Sequence, residues 1–507
     1  MRQRRLTTAG ALAFAVVFAL ALHSAAIAQT TQSGPPPPTT PFQLNPFLFS
    51  NETDATRALS SPDVLMRQSG VEWLGRWTGT DGWSPPPDAD ATQKSLRGRS
   101  DLVPLLIRAV EEMPEQDGAQ ATTLLALIGN PARQAIPAVC DAMYRWEGVD
   151  FVASAHLLNG LVHLCGGPDK LASGLIPFLR DNQTTNRLAI ARGLRYCADP
   201  TFEYLSPPPN GAYPTMSMDH FGAWQSQFQA QVVPALARTV GDRDSAVRIA
   251  AMESLEHISH DFQEDVTPSV ISAWQTTVKP LAHMASWGDP VERVATLKVL
   301  AVEPSDVSSG ARVLRGNLQG NADERLYALE ALCHAVQTNP KIVVNVFLAD
   351  WNSADPTKRQ IAADDMNQAA VPLWAGIPPA NIGVPWFNDS RLVAYTSKIR
   401  LDTVGMQAEM QNVHDRILAA LVNAESDSDQ KVRASAAAAL VQISQQVSNT
   451  LGAVPVDVVN GRVWPGGENL EAKVTTALDT AADILKQTDP DLAKRLQDQK
   501  LAFKHVI

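Results

Sequence analysis

The chain has 507 residues, of which 45% are hydrophobic and 19% charged, and its formal charge at pH 7 is −11. An acidic surface repels phosphate backbones, so the composition argues against a nucleic-acid partner and agrees with ordinary solubility. The four cysteines, at positions 140, 165, 197 and 333, include no Cys-x-x-Cys pair. So few cysteines exclude a disulfide-dense scaffold, and their spacing matches no zinc-binding or thioredoxin-like motif.

Residues 1–28 have the pattern of a cleavable secretion signal. A basic start, MRQRR, precedes an apolar run from Ala9 to Leu22 and a small-x-small site that ends at Ala28. The apolar run is shorter than the roughly 20 residues that a membrane-spanning helix takes. We therefore predict a mature start at Gln29, a secreted or periplasmic location and no stable membrane insertion. Loss of the three arginines in the signal changes the charge from −11 to −14.

Residues 29–50 form a proline-rich stretch without helical periodicity. Such a composition is typical of an extended, semi-rigid linker. The folded part is therefore predicted to span residues 51–507.

Five segments place a proline at the head of an apolar run, at positions 104, 137, 177, 234 and 280. The first turn of a helix tolerates proline because the missing N–H has no partner within the helix. Each proline is thus predicted to mark the beginning of a helix. The gaps of 33, 40, 57 and 46 residues suit a helical repeat with insertions.

A second kind of helix begins with an Asp or Asn followed four residues later by Arg, a pattern that we call the cap motif. The acceptor side chain suits a helix N-cap, and apolar residues continue at helical spacing. The cap motif occurs six times, at Asp63/Arg67, Asp244/Arg248, Asp289/Arg293, Asn321/Arg325, Asp355/Arg359 and Asp429/Arg433. We predict that each cap motif opens the second helix of a pair, and that Arg248 ties to its cap residue Asp244 unless it meets a neighbouring repeat.

Two stretches resemble HEAT repeats, in particular the short bacterial type found in phycobilin lyases. They are LLALIGNPARQAIPAV at 124–139 and DSAVRIAA at 244–251. The resemblance implies an all-α, right-handed alpha-alpha superhelix, a HEAT- or armadillo-like solenoid of about eight or nine helix pairs. It also implies that Arg248 ties to an aligned neighbouring repeat. Ala493 stands where the last repeat would have its arginine, as expected of a capping pair.

Four Pro/Gly-rich insertions interrupt the repeats, near residues 80–91, 206–224, 371–390 and 451–470. Insertions of this kind collect on one edge of a solenoid and often form its binding face. The alternative is that they fold back and bury their aromatic side chains. The candidate partner-binding residues are Trp83, Tyr213, Trp374, Trp386 and Trp464. The tryptophans in helical patterns, at 73, 146, 224, 274, 287 and 351, are predicted to pack between helices.

The common catalytic signatures are missing from the sequence, so no catalytic residue, cofactor or metal is predicted. One group has the composition of a metal site: Glu253, His257, His260 and Asp261 fall at helical spacing. The competing explanation is that these histidines lie at a helix C-terminus, where the helix dipole favours positive charge. For Cys140 and Cys165 two states stay open, a bridge across one helix pair or free buried thiols.

The sequence predicts an exported, non-catalytic HEAT-repeat scaffold. It would bind a protein or peptide, favourably one with basic patches, through the concave face and the loop edge of the solenoid. The alternatives are a metal-dependent or lyase-like enzyme, or a glycan-binding module that uses the loop tryptophans. The resemblance would make a lyase act on a tetrapyrrole, and the secretion signal argues against that.

Overall fold

The computed structural model describes residues 49–79, 88–146, 151–198, 218–260, 267–303, 305–369, 403–453 and 470–506. Residues Asn51–Ile507 form one compact unit. Throughout the described ranges the regular secondary structure is helical, without a strand, so the all-α prediction is confirmed. In the same ranges no helix combines the length and the apolar character that crossing a bilayer requires.

Twenty-one α-helices are assigned in these ranges, and short 3₁₀ turns connect some of them. Their bounds are α1 Glu52–Leu59, α2 Val64–Thr78, α3 Ala89–Leu96, α4 Val103–Glu112, α5 Glu115–Ile128, α6 Ile136–Arg145, α7 Phe151–Cys165, α8 Leu171–Leu175, α9 Thr184–Gly193, α10 Met218–Thr239, α11 Ser245–His260, α12 Pro268–Trp287, α13 Pro290–Val302, α14 Ala311–Asn317, α15 Ala322–Thr338, α16 Pro340–Leu348, α17 Pro356–Gln368, α18 Thr403–Ala424, α19 Gln430–Ala453, α20 Leu470–Leu485 and α21 Pro490–Val506.

The helices pack as neighbouring pairs. Helices α6, α9, α11, α13 and α15 pack side by side in one layer, and α8, α10, α12 and α14 form the layer behind it. Within each pair, α10 packs on α11, α12 on α13, and α14 on α15. This neighbour-to-neighbour packing is the architecture of a helical-repeat solenoid.

The pairing departs from a strict alternation of first and second helices at α6 to α9. Helix α7 packs on α5, whereas α9 packs on α6. The close approach of α9 requires glycine at its last position, because a Cβ at Gly193 would lie 2.5 Å from the Cβ of Cys140. The alternation is broken a second time at α17. Asp365 of this second helix accepts a 2.5 Å hydrogen bond from Arg315 of α14, which is the first helix of an earlier pair.

The proline prediction is right for two helices and wrong for three. Pro104 and Pro137 lie in the first turns of α4 and α6, as predicted. Pro177 opens a 3₁₀ turn, and Pro234 and Pro280 lie inside α10 and α12.

The two long helices begin upstream of their prolines because their earlier turns bury large aromatic side chains. Trp224 and Phe228 of α10 are 6% and 2% exposed, and Trp274 of α12 is fully buried. Burial of such side chains contributes about 1.5–3 kcal/mol each, which offsets the roughly 3 kcal/mol cost of an interior proline. The insertion predicted near 206–224 is therefore shorter, since α10 begins at Met218.

The predicted helix caps are confirmed at all six cap motifs. Each Asp or Asn side chain accepts a hydrogen bond from a backbone N–H in the first helical turn. Asp289 and Asn321 each form a full capping box with the glutamate three residues on.

The arginines of the cap motifs do not tie to their own caps. Four of them reach the next unit instead. Arg67 donates from Nη2 to Glu112 of α4. The other three donate from Nε: Arg248 to Glu292 at 2.9 Å, Arg293 to Glu324 at 2.8 Å, and Arg359 to Asp427 at 2.6 Å. Each also donates a second hydrogen bond, through Nη1, to a carbonyl oxygen of its own turn. We call this series the arginine ladder.

Sequence reasoning missed one rung of the ladder. Arg187 donates to Asp242 from Nε at 2.8 Å and from Nη2 at 3.0 Å, and its Nη1 donates to the Asp181 carbonyl. Its helix α9 has Gln183 at the N-cap, without a side-chain cap bond, so the cap motif is absent. Arg325 belongs to a cap motif, but its side chain is exposed and it is not part of the ladder. Its helix α15 is the last of the layer that begins at α6, and the ladder resumes at Arg359 of α17.

We predict that a ladder arginine contributes far more stability than a surface arginine. Arg248 and Glu292 have side chains only 20% and 4% exposed, so Arg248→Ala leaves a buried carboxylate without its cation. We expect a loss of about 3–5 kcal/mol in the free energy of unfolding, measured by urea denaturation. The control Arg57→Ala removes a pair with 74% and 39% exposed side chains and should cost less than about 1 kcal/mol. Equal losses would contradict the assignment.

One core position carries a carboxyl group where an apolar side chain is expected. Glu425 is fully buried, and within the described part of the chain neither carboxyl oxygen has a hydrogen-bond partner. Burial raises its pKa to about 8, and the nearby Arg433 opposes the rise. Glu303 is equally buried, but it accepts hydrogen bonds from Thr277 and Ser305 at 2.5 and 2.8 Å. Glu425 therefore weakens the core unless it is protonated.

The stabilising effect of Glu425→Gln should grow with pH. The folded pKa of about 8 lies above the ordinary 4.5, so the native protein loses stability as pH rises from 4.5 to 8. Glutamine removes this loss, by up to about 1.4 kcal/mol per pH unit across that window. Urea unfolding at pH 5 and pH 8.5 measures the difference. The exposed control Asp483→Asn should show no such growth, and a parallel pH trend in both variants would refute the account.

Candidate functional site

The five predicted partner-binding residues, Trp83, Tyr213, Trp374, Trp386 and Trp464, all lie outside the described residues. Their exposure stays a prediction. The four insertions that carry them each follow a second helix, namely α2, α9, α17 and α19. The insertions therefore start from the C-terminal ends of second helices, whereas the arginine ladder lies at the N-terminal ends of second helices.

The tryptophans of the helices are placed as predicted, with one exception. Trp73, Trp146, Trp224 and Trp274 are all at most 7% exposed. Trp351 donates from its indole N–H to the carbonyl of Ala420 at 2.8 Å. Trp287 is 80% exposed, so the prediction that it packs between helices is wrong. It is the last residue of α12, where the chain turns into α13.

The histidine cluster does not assemble a metal site in the described part of the chain. Helix α11 ends at His260, whose side chain is not among the described ones, and Asp261 lies outside the described residues. Glu253 and His257 are half-buried on one side of α11. Among the residues that the structure describes, no three His, Cys, Asp or Glu side chains converge as metal ligands.

The cysteines of helices α6, α7 and the turn after α9 are free thiols. Cys140, Cys165 and Cys197 are all buried. Burial raises the pKa of Cys165 to about 12 and that of Cys140 and Cys197 well above the ordinary value. Protonated, inaccessible thiols are poor nucleophiles, so this group acts as packing.

A different group of side chains forms a continuous surface on the layer of α6, α9, α11, α13 and α15. Its members are half-buried and ionisable, and each acts on a neighbour through a ring contact or through its charge. We call this surface the charged face, and its residues are Tyr144, Arg192, Arg195, Tyr196, Glu253, Glu256, Lys298, Tyr327 and Glu330.

Arginines stacked on tyrosines form one end of the charged face. The Arg192 and Arg195 guanidinium carbons lie 4.2 and 5.0 Å from the centre of the Tyr144 ring. Arg195 also lies 4.7 Å from the Tyr196 ring and donates a 2.5 Å hydrogen bond to its hydroxyl. Burial, together with the charge of Glu253 on the next helix, raises the pKa of Tyr196 although Arg195 opposes the rise.

The other end of the charged face holds two carboxylates and one lysine on three adjacent helices. Lys298 of α13 lies between Glu256 of α11 and Glu330 of α15, and its Nζ is 5.2 Å from the centre of the Tyr327 ring. Burial raises the pKa of Glu330 to about 7, Lys298 lowers it, and Glu256 raises it further. Burial also raises the pKa of Glu256.

These charges are close to one another without being paired. In the described residues none of Glu256, Lys298 and Glu330 makes a direct ion pair, in contrast to the arginine ladder. Half-buried charges lose hydration, and a ring contact or a charge at longer range compensates only part of that loss. Perturbed pKa values of this kind cluster at functional sites, so the charged face is the candidate site.

The local sequence puts these groups on one side of the layer. On α11, Glu253, Glu256 and His257 lie opposite Ala251, Leu255 and Ile258, which are fully buried. A charged residue stands nine positions after the N-cap in four successive second helices: Arg192, Glu253, Lys298 and Glu330. Sequence reasoning considered only Glu253, as a metal ligand. The nine-residue offset from each cap was the signal that could have found the others.

No family model matches the chain, and no curated protein matches it. Among solved structures, an engineered protein of the Northeast Structural Genomics Consortium is 16% identical with a TM-score of 0.30, covering 89% of this chain and 98% of that one. A second engineered protein from that consortium is 16% identical with a TM-score of 0.25, over 45% of this chain and 94% of that one.

A designed armadillo repeat protein, solved in complex with the peptide (KR)4, is 12% identical. Its TM-score is 0.25, and the match covers 67% of this chain and 99% of that one. At such scores the fold assignment rests on the packing of this chain's own helices.

The electrostatic coupling within the charged face can be tested directly. Lys298→Met removes the cation that lowers the pKa of Glu330, so that pKa should rise above about 7. Titration of the glutamate side-chain carboxyl carbons by NMR measures the shift. Lys279→Met on the exposed side of α12 is the control and should leave the midpoint in place. An unchanged Glu330 midpoint in Lys298→Met would show that the two charges do not interact.

Proposed function

We propose that the chain is an exported, non-catalytic HEAT-repeat scaffold that binds a protein or peptide partner through the charged face. One observation carries the proposal: half-buried charges recur at one register of four neighbouring helices, and among the described residues none of them makes a direct ion pair. A partner that supplies opposite charges would offset the free-energy cost of the hydration that these groups lose on folding.

Export is supported by the pattern of residues 1–28, and the repeat type by the helices that begin with cap motifs and by the stretches that resemble HEAT repeats. The non-catalytic role is supported by the make-up of the face. Its residues are charged groups and tyrosines spread over five helices rather than converging on one reacting atom, and the described thiols are buried away from solvent.

The proposal predicts where selected ligands bind. Peptides recovered from a displayed random library should protect α11, α13 and α15 from hydrogen exchange. The double variant Glu253→Gln/Glu330→Gln should bind them about tenfold more weakly, since each exposed charge pair contributes up to about 1 kcal/mol.

A matched control keeps the charge change but moves it off the face. Asp479→Asn/Asp483→Asn on α20 also removes two acidic groups and should bind as the native chain does. Protection confined to other helices, or equal weakening in both double variants, would refute the charged face as the binding site. Recovery of glycan rather than peptide ligands would favour the alternative module.

A further inference from the structure

We infer that the partner segment crosses the charged face in a polyproline II conformation, with acidic and basic side chains alternating at every third residue. This inference rests on the proposed function and names the ligand of that same surface. It depends on two properties of the face, the order of its charges and the spacing of its helices.

The order of charges alternates along the layer. Nine residues after each N-cap, the face presents Arg192 on α9, Glu253 on α11, Lys298 on α13 and Glu330 on α15. A complementary ligand therefore carries an acidic, a basic, an acidic and a basic group in turn. A uniformly basic segment would place like charges at Arg192 and Lys298.

The spacing of the helices selects the ligand's backbone. Packed helices lie about 8–10 Å apart. A polyproline II segment has three residues per turn and rises about 3.1 Å per residue, so every third side chain points the same way at steps of about 9.3 Å. A β-strand alternates its side chains with period two, so residues three apart point to opposite sides. Of these two extended backbones, only the polyproline II segment matches one charge to each helix.

Aromatic rings lie at both ends of the row. The arginines lie over the rings of Tyr144 and Tyr196, and Lys298 lies over the ring of Tyr327, so a proline would pack on the ring surface that the cations leave uncovered. Tyrosine rings are the usual platforms for the pyrrolidine rings of proline-rich ligands. Such a ligand also binds at a low cost in conformational entropy, because its backbone is extended before it binds.

The chain's own proline-rich stretch does not fit this description. Residues 29–50 contain several prolines but no Asp, Glu, Lys or Arg. The charge pattern therefore points to a segment of another protein.

Two synthetic peptides of identical composition test the inference on the mature chain by fluorescence anisotropy. One carries Asp-Pro-Pro-Lys-Pro-Pro-Asp-Pro-Pro-Lys, and the other places the same charges at every second residue. The three-residue period should bind about tenfold more tightly, given up to about 1 kcal/mol for each aligned pair. Equal affinities, or no binding of either peptide, overturn the inference.

A charge reversal identifies the register. Lys298→Glu should weaken binding of the three-residue peptide, and replacing the second aspartate of the peptide by lysine should restore it. Lys279→Glu, on the exposed side of α12, should change neither affinity. A peptide that binds Lys298→Glu and the native chain equally well contradicts the proposed register.

These outcomes separate the inference from the function on which it rests. If library peptides protect α11, α13 and α15 while both synthetic peptides fail, the charged face binds polypeptide and the three-residue register is wrong. If the library peptides protect other helices, the proposed function itself fails.

Discussion

The structure depends on arginines that link five of the second helices to the next unit. In five places a guanidinium holds a carbonyl oxygen of its own turn and a carboxylate of the following unit. Arginine suits this task because its planar fork presents several N–H donors in fixed directions and it remains charged when partly buried. In the pairs made by Arg187, Arg248, Arg293 and Arg359 both partners are largely shielded from water, so these pairs fix the spacing of successive units.

The same layer of helices shows charges used in two ways. At the helix starts, Arg248 and Glu292 are directly hydrogen-bonded and largely buried. Nine residues after the caps, Glu253, Lys298 and Glu330 are half-buried, and no direct ion pair to them is seen among the described residues. The first arrangement explains how the units stack. The second supplies ring contacts between neighbouring helices, Arg192 on Tyr144 and Lys298 on Tyr327, and it is the surface to which we assign the proposed partner.

Several elements could be predicted from local sequence because their physics is local. An Asp or Asn side chain caps the backbone N–H groups that follow it, so all six cap motifs mark helix starts wherever the helix packs. The prolines are less informative. Proline at a helix start and proline within a helix have the same local sequence signal, and at Pro234 and Pro280 the burial of Trp224 and Trp274 decided the outcome.

The sequence by itself determined the all-helical class, the paired helices and the caps, since apolar periodicity and capping act over a few residues. Only the tertiary structure decided which carboxylate each ladder arginine meets, that Trp287 faces solvent, and that α9 packs on α6. It also decided that Lys298 lies between Glu256 and Glu330, which are 32 positions away from it or more. These contacts join residues far apart in the chain, and their distances follow from how whole helices pack rather than from any local pattern.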